Sequence, residues 1–145
     1  MTLEIRLAEP YDVAALFDVR TSVRENHLSR ERLAELGVTN TSVSQMISAS
    51  TCAWVAISSD KIVGFSMIDV TEASLFAAFV LPAHEGKGLG TQLVNIAERE
   101  LFKHHYEIWL ETDKDSRAAG FYRHLGWGNQ RASKSNQIRL TKTRT

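Results

Sequence analysis

The sequence is poor in cysteine, holding only Cys52 among its 145 residues. One thiol excludes an intrachain disulfide framework and leaves no thiolate cluster for a metal. Set in the apolar run CAWVAI, it reads as a buried core side chain. Proline is scarce too, with two residues, and there is no low-complexity tract, repeat or linker. No apolar run is long enough to cross a bilayer. The start, MTLEIRLAEP, lacks the basic flank and apolar stretch of a signal peptide, so a cytoplasmic protein without a membrane partner is expected. The glycosylation-like NTS at 40–42 is then a coincidence of sequence. The five histidines show no metal-ligand spacing, and no metal is expected. His104 and His105 close a helical pattern, where imidazole suits the negative end of the helix dipole.

Acids are missing from one whole region. All seventeen lie at or before Asp115, while seven of the seventeen basic residues follow it, so a net charge of zero hides a negative body and a positive end. The bases are spread over a predicted helix and strands rather than packed into a tail, which argues against a nucleic-acid partner. They read as solvated strand faces or as a positive rim that draws in an anion.

What remains is ordinary globular composition, 43% apolar and 23% charged, enough for one domain over 1–145. LEIRLA alternates as a first strand, and Pro10 with Asp12 opens a helix whose inner face is Val13, Leu16 and Phe17. SRERLAEL followed by Gly37 is a short helix with a serine cap and a glycine stop. Ser42 and Gln45 suggest a capping box for another, with Val43, Met46 and Ile47 inside. CAWVAIS and KIVGFSMIDV, separated by Ser-Asp, form a hairpin, and SLFAAFVL is a third strand. Leu89, Leu93, Ile96, Ala97 and Leu101 share one helical face. YEIWLET is a strand, SRAAGFYRHL a helix stopped by Gly126, and QIRLTK a last strand. The order predicts an α/β protein with a mixed sheet and one right-handed crossover.

The stretch PAHEGKGLGTQLV carries three glycines, Gly86, Gly88 and Gly90, directly before a helix. Such a loop presents backbone N–H groups to an anion. A dinucleotide fingerprint needs a further glycine where Thr91 stands, and a nucleotide P-loop needs Ser or Thr where Gly88 follows Lys87. Both fail. A strand ending FVLP, a short turn and EGKGLG entering an amphipathic helix resemble instead the coenzyme A pyrophosphate cradle of the GNAT N-acetyltransferase superfamily. RAAGFYRHLGW (117–127) supports this independently, with Ala118, Tyr122, Gly126 and Trp127 matching a second family motif. Together with VRENHLS, these segments are most similar to a small bacterial branch of that superfamily. Glu85 departs from the pattern, which has Gln or Arg there.

The resemblance implies a GNAT fold of six to seven mostly antiparallel strands, with a splayed parallel pair and about four helices. It implies acetyl-CoA as co-substrate, held by Phe79, Val80, Glu85, Gly86, Lys87, Gly88, Leu89, Gly90, Thr91 and Asp115. The backbone of Phe79 and Val80 would pair with the pantetheine arm, and the Val80 N–H would face the thioester oxygen. Glu85 would turn outward while its backbone binds. Asp115 stands where relatives use Asn, and reads equally as a cap for the following helix. Tyr122 is the implied acid for the departing thiolate; by periodicity alone, Phe121, Tyr122 and Leu125 are one buried face.

SLFAAFVL lacks the acid many relatives carry, so the base for the amine is sought among Glu111, Glu25, Glu72 and His27, or in a water chain. The segment after the first helix is where the resemblance places the acceptor pocket, and Arg24, Glu25 and Asn26 form a polar cluster there. Arg24 and Asn26 would touch the acceptor, an arginine there suiting a carboxylate; the other reading is a local salt-bridge network. No activated nucleophile is evident, so direct transfer of acetyl to a primary amine of a small molecule or peptide is expected, by a monomer or homodimer. The rival is a non-catalytic acyl-CoA-binding regulator.

Overall fold

The computed structural model describes residues 3–23 and 28–145. Among these residues seven strands form one sheet in the order β1-β2-β3-β4-β5-β7-β6. They are β1 (Leu3–Leu7), β2 (Ala53–Ser58), β3 (Lys61–Asp69), β4 (Ser74–Val80), β5 (Glu107–Asp113), β6 (Gly128–Ala132) and β7 (Gln137–Thr143). Five helices accompany them: α1 (Val13–Arg20), α2 (Arg30–Glu35), α3 (Asn40–Ala49), α4 (Leu89–Phe102) and α5 (Arg117–His124). The sequence reading places all five, including the two short ones between α1 and β2, where the resemblance implies about four. Both prolines open single 3-10 turns, Pro10–Asp12 before α1 and Pro82–His84 before α4.

Local chemistry accounts for most boundaries. Ser59 and Asp60 both adopt positive φ, 50° and 67°, the geometry a two-residue hairpin turn demands between β2 and β3. Ser29 caps α2, accepting from the Arg32 N–H, and Gly37 follows at φ 84°. The capping box of α3 is formed by Thr39 and Ser42, not by Ser42 and Gln45, so this helix begins three residues earlier than the sequence suggested. β6 was not expected at all: GNQRA has no apolar alternation and is an almost wholly exposed edge strand.

The two faces of the sheet are told apart by their contacts. The Ser66 hydroxyl donates to the Leu93 carbonyl at 3.0 Å, which puts α4 on the face of Gly64, Ser66, Ala78 and Val80. Strand alternation turns Phe65, Met67, Ala77 and Phe79 to the other face, where α1 packs. Gly64 permits the closest approach: a Cβ there would lie 3.0 Å from the Phe79 carbonyl and 3.2 Å from Leu93. The core fills both layers, with Leu93, Val94, Ala97 and Leu101 buried on one side and Leu16, Phe17, Phe65 and Met67 on the other.

Two irregularities in β4 set up the site. Met67 pairs with Ala77 and Ile68 with Leu75, which leaves Phe76 as an unpaired bulge. Such a bulge bends its strand. Toward β5 the strand makes one parallel pair, Ser74 with Trp109, and no further ladder. The seven strands are otherwise paired antiparallel.

Candidate active site

Where β4 and β5 separate, a cleft of about 470 Å³ opens between the end of β4, the glycine loop and α5. Gly86 and Gly88 adopt φ of 78° and 80° with nothing near their would-be Cβ atoms, so the need for glycine is conformational. Gly88 is the N-cap of α4, and no side chain caps that end. The N–H groups of Leu89, Gly90 and Thr91 therefore lack intrahelical acceptors, and all three residues border the cleft. A fourteen-residue helix thus points its positive end and three open donors at one place, an anion site by construction. Gly90 serves a different need, since a Cβ there would meet the Phe121 ring at 3.4 Å.

The opposite wall is α5, capped by Ser116, whose hydroxyl accepts from the Ala119 N–H at 3.3 Å. Ser116 and not Asp115 is the cap. The Asp115 carboxylate instead accepts from the Asn136 amide at 2.9 Å, outside the cleft lining. Arg117, first residue of α5, reaches across the mouth to Glu85 at 3.1 Å. Glu85 therefore does not simply turn to solvent: it pairs with a cation of the facing wall. Lys87 is exposed in the loop and does not line the cleft. His84, which the sequence did not single out, borders the cleft with its Nδ1 buried and without a hydrogen-bond partner among the described residues. Only that orphaned atom marks it.

Phe121, and not Tyr122, forms the cleft wall. Tyr122 lies behind it, its ring 5.3 Å from Phe121 and edge-on to Trp127 at 6.1 Å. Burial pushes its phenol well above the ordinary value, so the hydroxyl stays protonated. Trp127 is fixed in turn, its indole N–H donating to Glu98 at 2.9 Å, while Lys142 holds the other Glu98 oxygen at 2.7 Å. Glu98 and Lys142 carried no local signal in the sequence.

Val80 borders the cleft, whereas the Phe79 ring lies on the far face, 5.8 Å from Phe65 and 4.3 Å beneath the Arg20 guanidinium. Glu111 alternates with Thr112, which lines the cleft, and so belongs to the opposite face of β5. There its carboxylate accepts from the Ser133 hydroxyl. Glu72 sits in the turn before β4, its carbonyl held by the Trp109 indole at 2.7 Å; it is at the wrong end of the strand to serve chemistry beside Val80. Arg24, Glu25, Asn26 and His27 lie outside the described residues. Cys52 is buried as expected, its thiol pushed up by desolvation.

The residues of the cleft fit coenzyme A: uncapped helix donors for a pyrophosphate, an unladdered strand edge for an extended arm, and a buried ring nitrogen awaiting a polar partner. Among the described residues no helix is long and apolar enough to cross a membrane. No curated protein sequence matches the chain, but solved structures do. The PaiA N-acetyltransferase of Thermoplasma acidophilum, in complex with coenzyme A, superposes with a TM-score of 0.80 at 18% identity, over 99% of this chain and 100% of the other. The Salmonella typhimurium protein yncA with its cofactor acetyl-CoA gives 0.72 at 17%, over 99% and 94%. The ribosomal-protein-S18-alanine N-acetyltransferase of Escherichia coli gives 0.69 at 18%, over 97% and 91%. These likenesses establish the fold. The model of the acetyltransferase (GNAT) family matches residues 14–127, and the chain belongs to that family.

Proposed function

We propose that the protein moves an acetyl group from acetyl-CoA directly to a primary amine. The observation that carries this reading is the meeting of the uncapped α4 N-terminus with the open edge of β4 in a single cleft. When bound, acetyl-CoA supplies an activated acyl group as a thioester. The N–H groups of Leu89 to Thr91 hold its pyrophosphate, with His84 as a further polar contact. The backbone of Phe79 and Val80 orients the arm, and the Val80 N–H stabilises charge developing on the thioester oxygen. Bringing amine and thioester together at this strand edge supplies much of the rate by proximity.

Tyr122 is the proton source that the family resemblance implies; to serve the departing sulfur its hydroxyl must reach the cleft past the Phe121 ring, and burial keeps that phenol protonated. The proton lost by the amine passes to Glu111, which shares the Phe79 face, or to water. The expected result is acetyl-CoA binding by calorimetry and thiol release with at least one member of a panel of amines, amino acids, polyamines and peptides. Binding without thiol release on any of them would favour an acyl-CoA-binding regulator instead. Tyr122→Phe should lower kcat by about 100-fold or more and leave acetyl-CoA affinity unchanged. Undiminished turnover would remove Tyr122 from the mechanism.

A further inference from the structure

β1 closes the sheet at the end opposite β6. Among the described residues its one neighbour is β2, in an unbroken register from Leu3↔Ser58 to Leu7↔Trp54. Just past the strand, the Ala8 N–H donates to the Ala53 carbonyl at 2.9 Å. Bonded pairs alternate along an antiparallel ladder, so Arg6 and Glu4 also turn their backbone groups to β2. Leu3, Ile5 and Leu7 then turn theirs outward. The Leu7 carbonyl agrees with this, accepting from the Arg6 guanidinium at 3.1 Å.

An open row of backbone donors and acceptors is a template for another strand. The two edges of this sheet present it differently. β6 is broken by a register shift between Gly128 and Arg131 and by Asn129 at φ 53°, and its side chains are polar. β1 has no bulge, no proline and no lysine. Leu3 and Leu7 are 44% and 46% exposed, and Tyr11, 74% exposed, lies beside Arg6. These are three of the six large apolar side chains left exposed among the described residues, so apolar surface is concentrated at this edge. Val23 and Leu28, on either side of residues 24–27, border cavities at β4, with β2 and β3 between them and β1.

The strand, LEIRL, reads the same chemically in both directions. Laid antiparallel on a second copy with Ile5 opposite Ile5, it sets Leu3 against Leu7 and Glu4 against Arg6. The outward residues then meet one another, and each of their N–H and C=O groups finds a partner. Glu4 and Arg6 fall at the unbonded positions, where facing side chains come closest, with Cα atoms about 4.5 Å apart. Opposite charges there stabilise the strand pair, and like charges oppose it. A slip of two residues keeps most of the backbone bonding but sets Glu4 against Glu4, or Arg6 against Arg6. A slip of one sets outward backbone groups against groups already bonded to β2. The charges thus select a single register. Arg6 keeps its bonds to Asp12, at 2.8 and 3.1 Å, so the selection rests on charge and not on an unused donor.

We propose that two copies of this chain join antiparallel through β1, about a two-fold axis at Ile5, to make one continuous sheet. The pairing is isologous, so it closes at two copies. The two glycine-loop clefts, beyond β4, stay clear of the join. A five-residue edge is small beside a standard interface of about 800 Å² per partner, which puts the dimer at the micromolar end of the affinity range.

The test is sedimentation velocity at low salt, over a concentration series reaching several hundred micromolar. The wild-type chain should pass from monomer to dimer. Ile5→Pro removes an outward N–H that β2 does not use; it should stay monomeric throughout and keep its far-ultraviolet circular dichroism. Glu4→Lys, at an exposed position, sets Lys against Arg6 of the second copy and should raise Kd at least about fivefold. Register is read by oxidation. Ile5→Cys should form an intermolecular disulfide, since a bonded pair places its Cα atoms about 5.5 Å apart, within disulfide range. Leu3→Cys, which faces Leu7 and not itself, should form none. Cys52 is buried and stays out of the reaction. A monomer at the highest concentration, a Kd that Glu4→Lys leaves unchanged, or Leu3→Cys cross-linking as fast as Ile5→Cys would each overturn the proposal. Should Ile5→Pro lose its fold, Glu4→Lys and the two cysteine variants still decide the outcome.

Discussion

Glu85 and Arg117 meet across the mouth of the cleft with 45% and 78% of their side chains exposed. At that exposure the pair adds little to stability, about 0–1 kcal/mol. Its weight falls on the site: the carboxylate occupies an arginine that faces the uncapped end of α4. Glu85→Gln removes a negative charge from the mouth that would receive the pyrophosphate. The expected outcome is an acetyl-CoA Kd that is unchanged or up to about fivefold tighter at low salt, converging with wild type as ionic strength rises. A tenfold loss by calorimetry would show that the carboxylate holds the loop in its binding shape. That Glu85 breaks a pattern was plain from its neighbours in the chain. Its partner was not, because Arg117 is 32 residues away and reads locally as one more base of the positive end.

At the scale of elements, the glycine loop, α4 and α5 were legible because their signals are local: left-handed glycines, a serine cap, an apolar stripe. What joins them was not. Glu98 stands on the buried face of α4 and gathers the Trp127 indole and the Lys142 ammonium into one network. Lys142 also donates to the Leu125 carbonyl at 2.8 Å, so α4, the end of α5 and β7 are tied at one carboxylate. Glu98→Ala strands a largely buried ammonium and an indole N–H. We expect a loss of about 3 kcal/mol in urea unfolding, the lower end for a broken buried pair because Lys142 remains partly exposed. Lys142→Met with Glu98→Gln should recover part of that loss, since no charge is then left alone. β6 stayed hidden for the opposite reason: an exposed edge strand has no buried face to impose alternation.

At the scale of the molecule, the mixed sheet and the order of every element but β6 followed from the sequence, while the distribution of side chains between two faces did not. Whether Phe79 or Val80 faces the glycine loop depends on register and on the Phe76 bulge, neither of which is written locally. Acid stability is also a property of the whole fold. Asp12 is buried before α1 and is held below the usual carboxylate range chiefly by hydrogen bonds from Arg6, at 2.8 and 3.1 Å, against the opposing effect of burial. A carboxylate depressed on folding contributes its full stability above its unfolded value, near about 3.9. That contribution is lost as pH falls through the lower folded value. Between about pH 5 and pH 2, wild type should therefore lose stability more steeply than Asp12→Asn, which starts lower; chemical denaturation at several pH values reads both slopes.

The single pair of Ser74 with Trp109 makes the sheet two half-sheets joined at one end. Along the open part of that join, alternate backbone groups of β4 have no neighbouring strand to pair with. A ligand that pairs with them binds the folded chain and has no counterpart in the unfolded one. Folding and ligand occupancy are then linked by mass action, at about 2.7 kcal/mol when the ligand is a hundredfold above its Kd. The supply of acetyl-CoA would govern how much of the protein persists folded, as well as how fast it turns over.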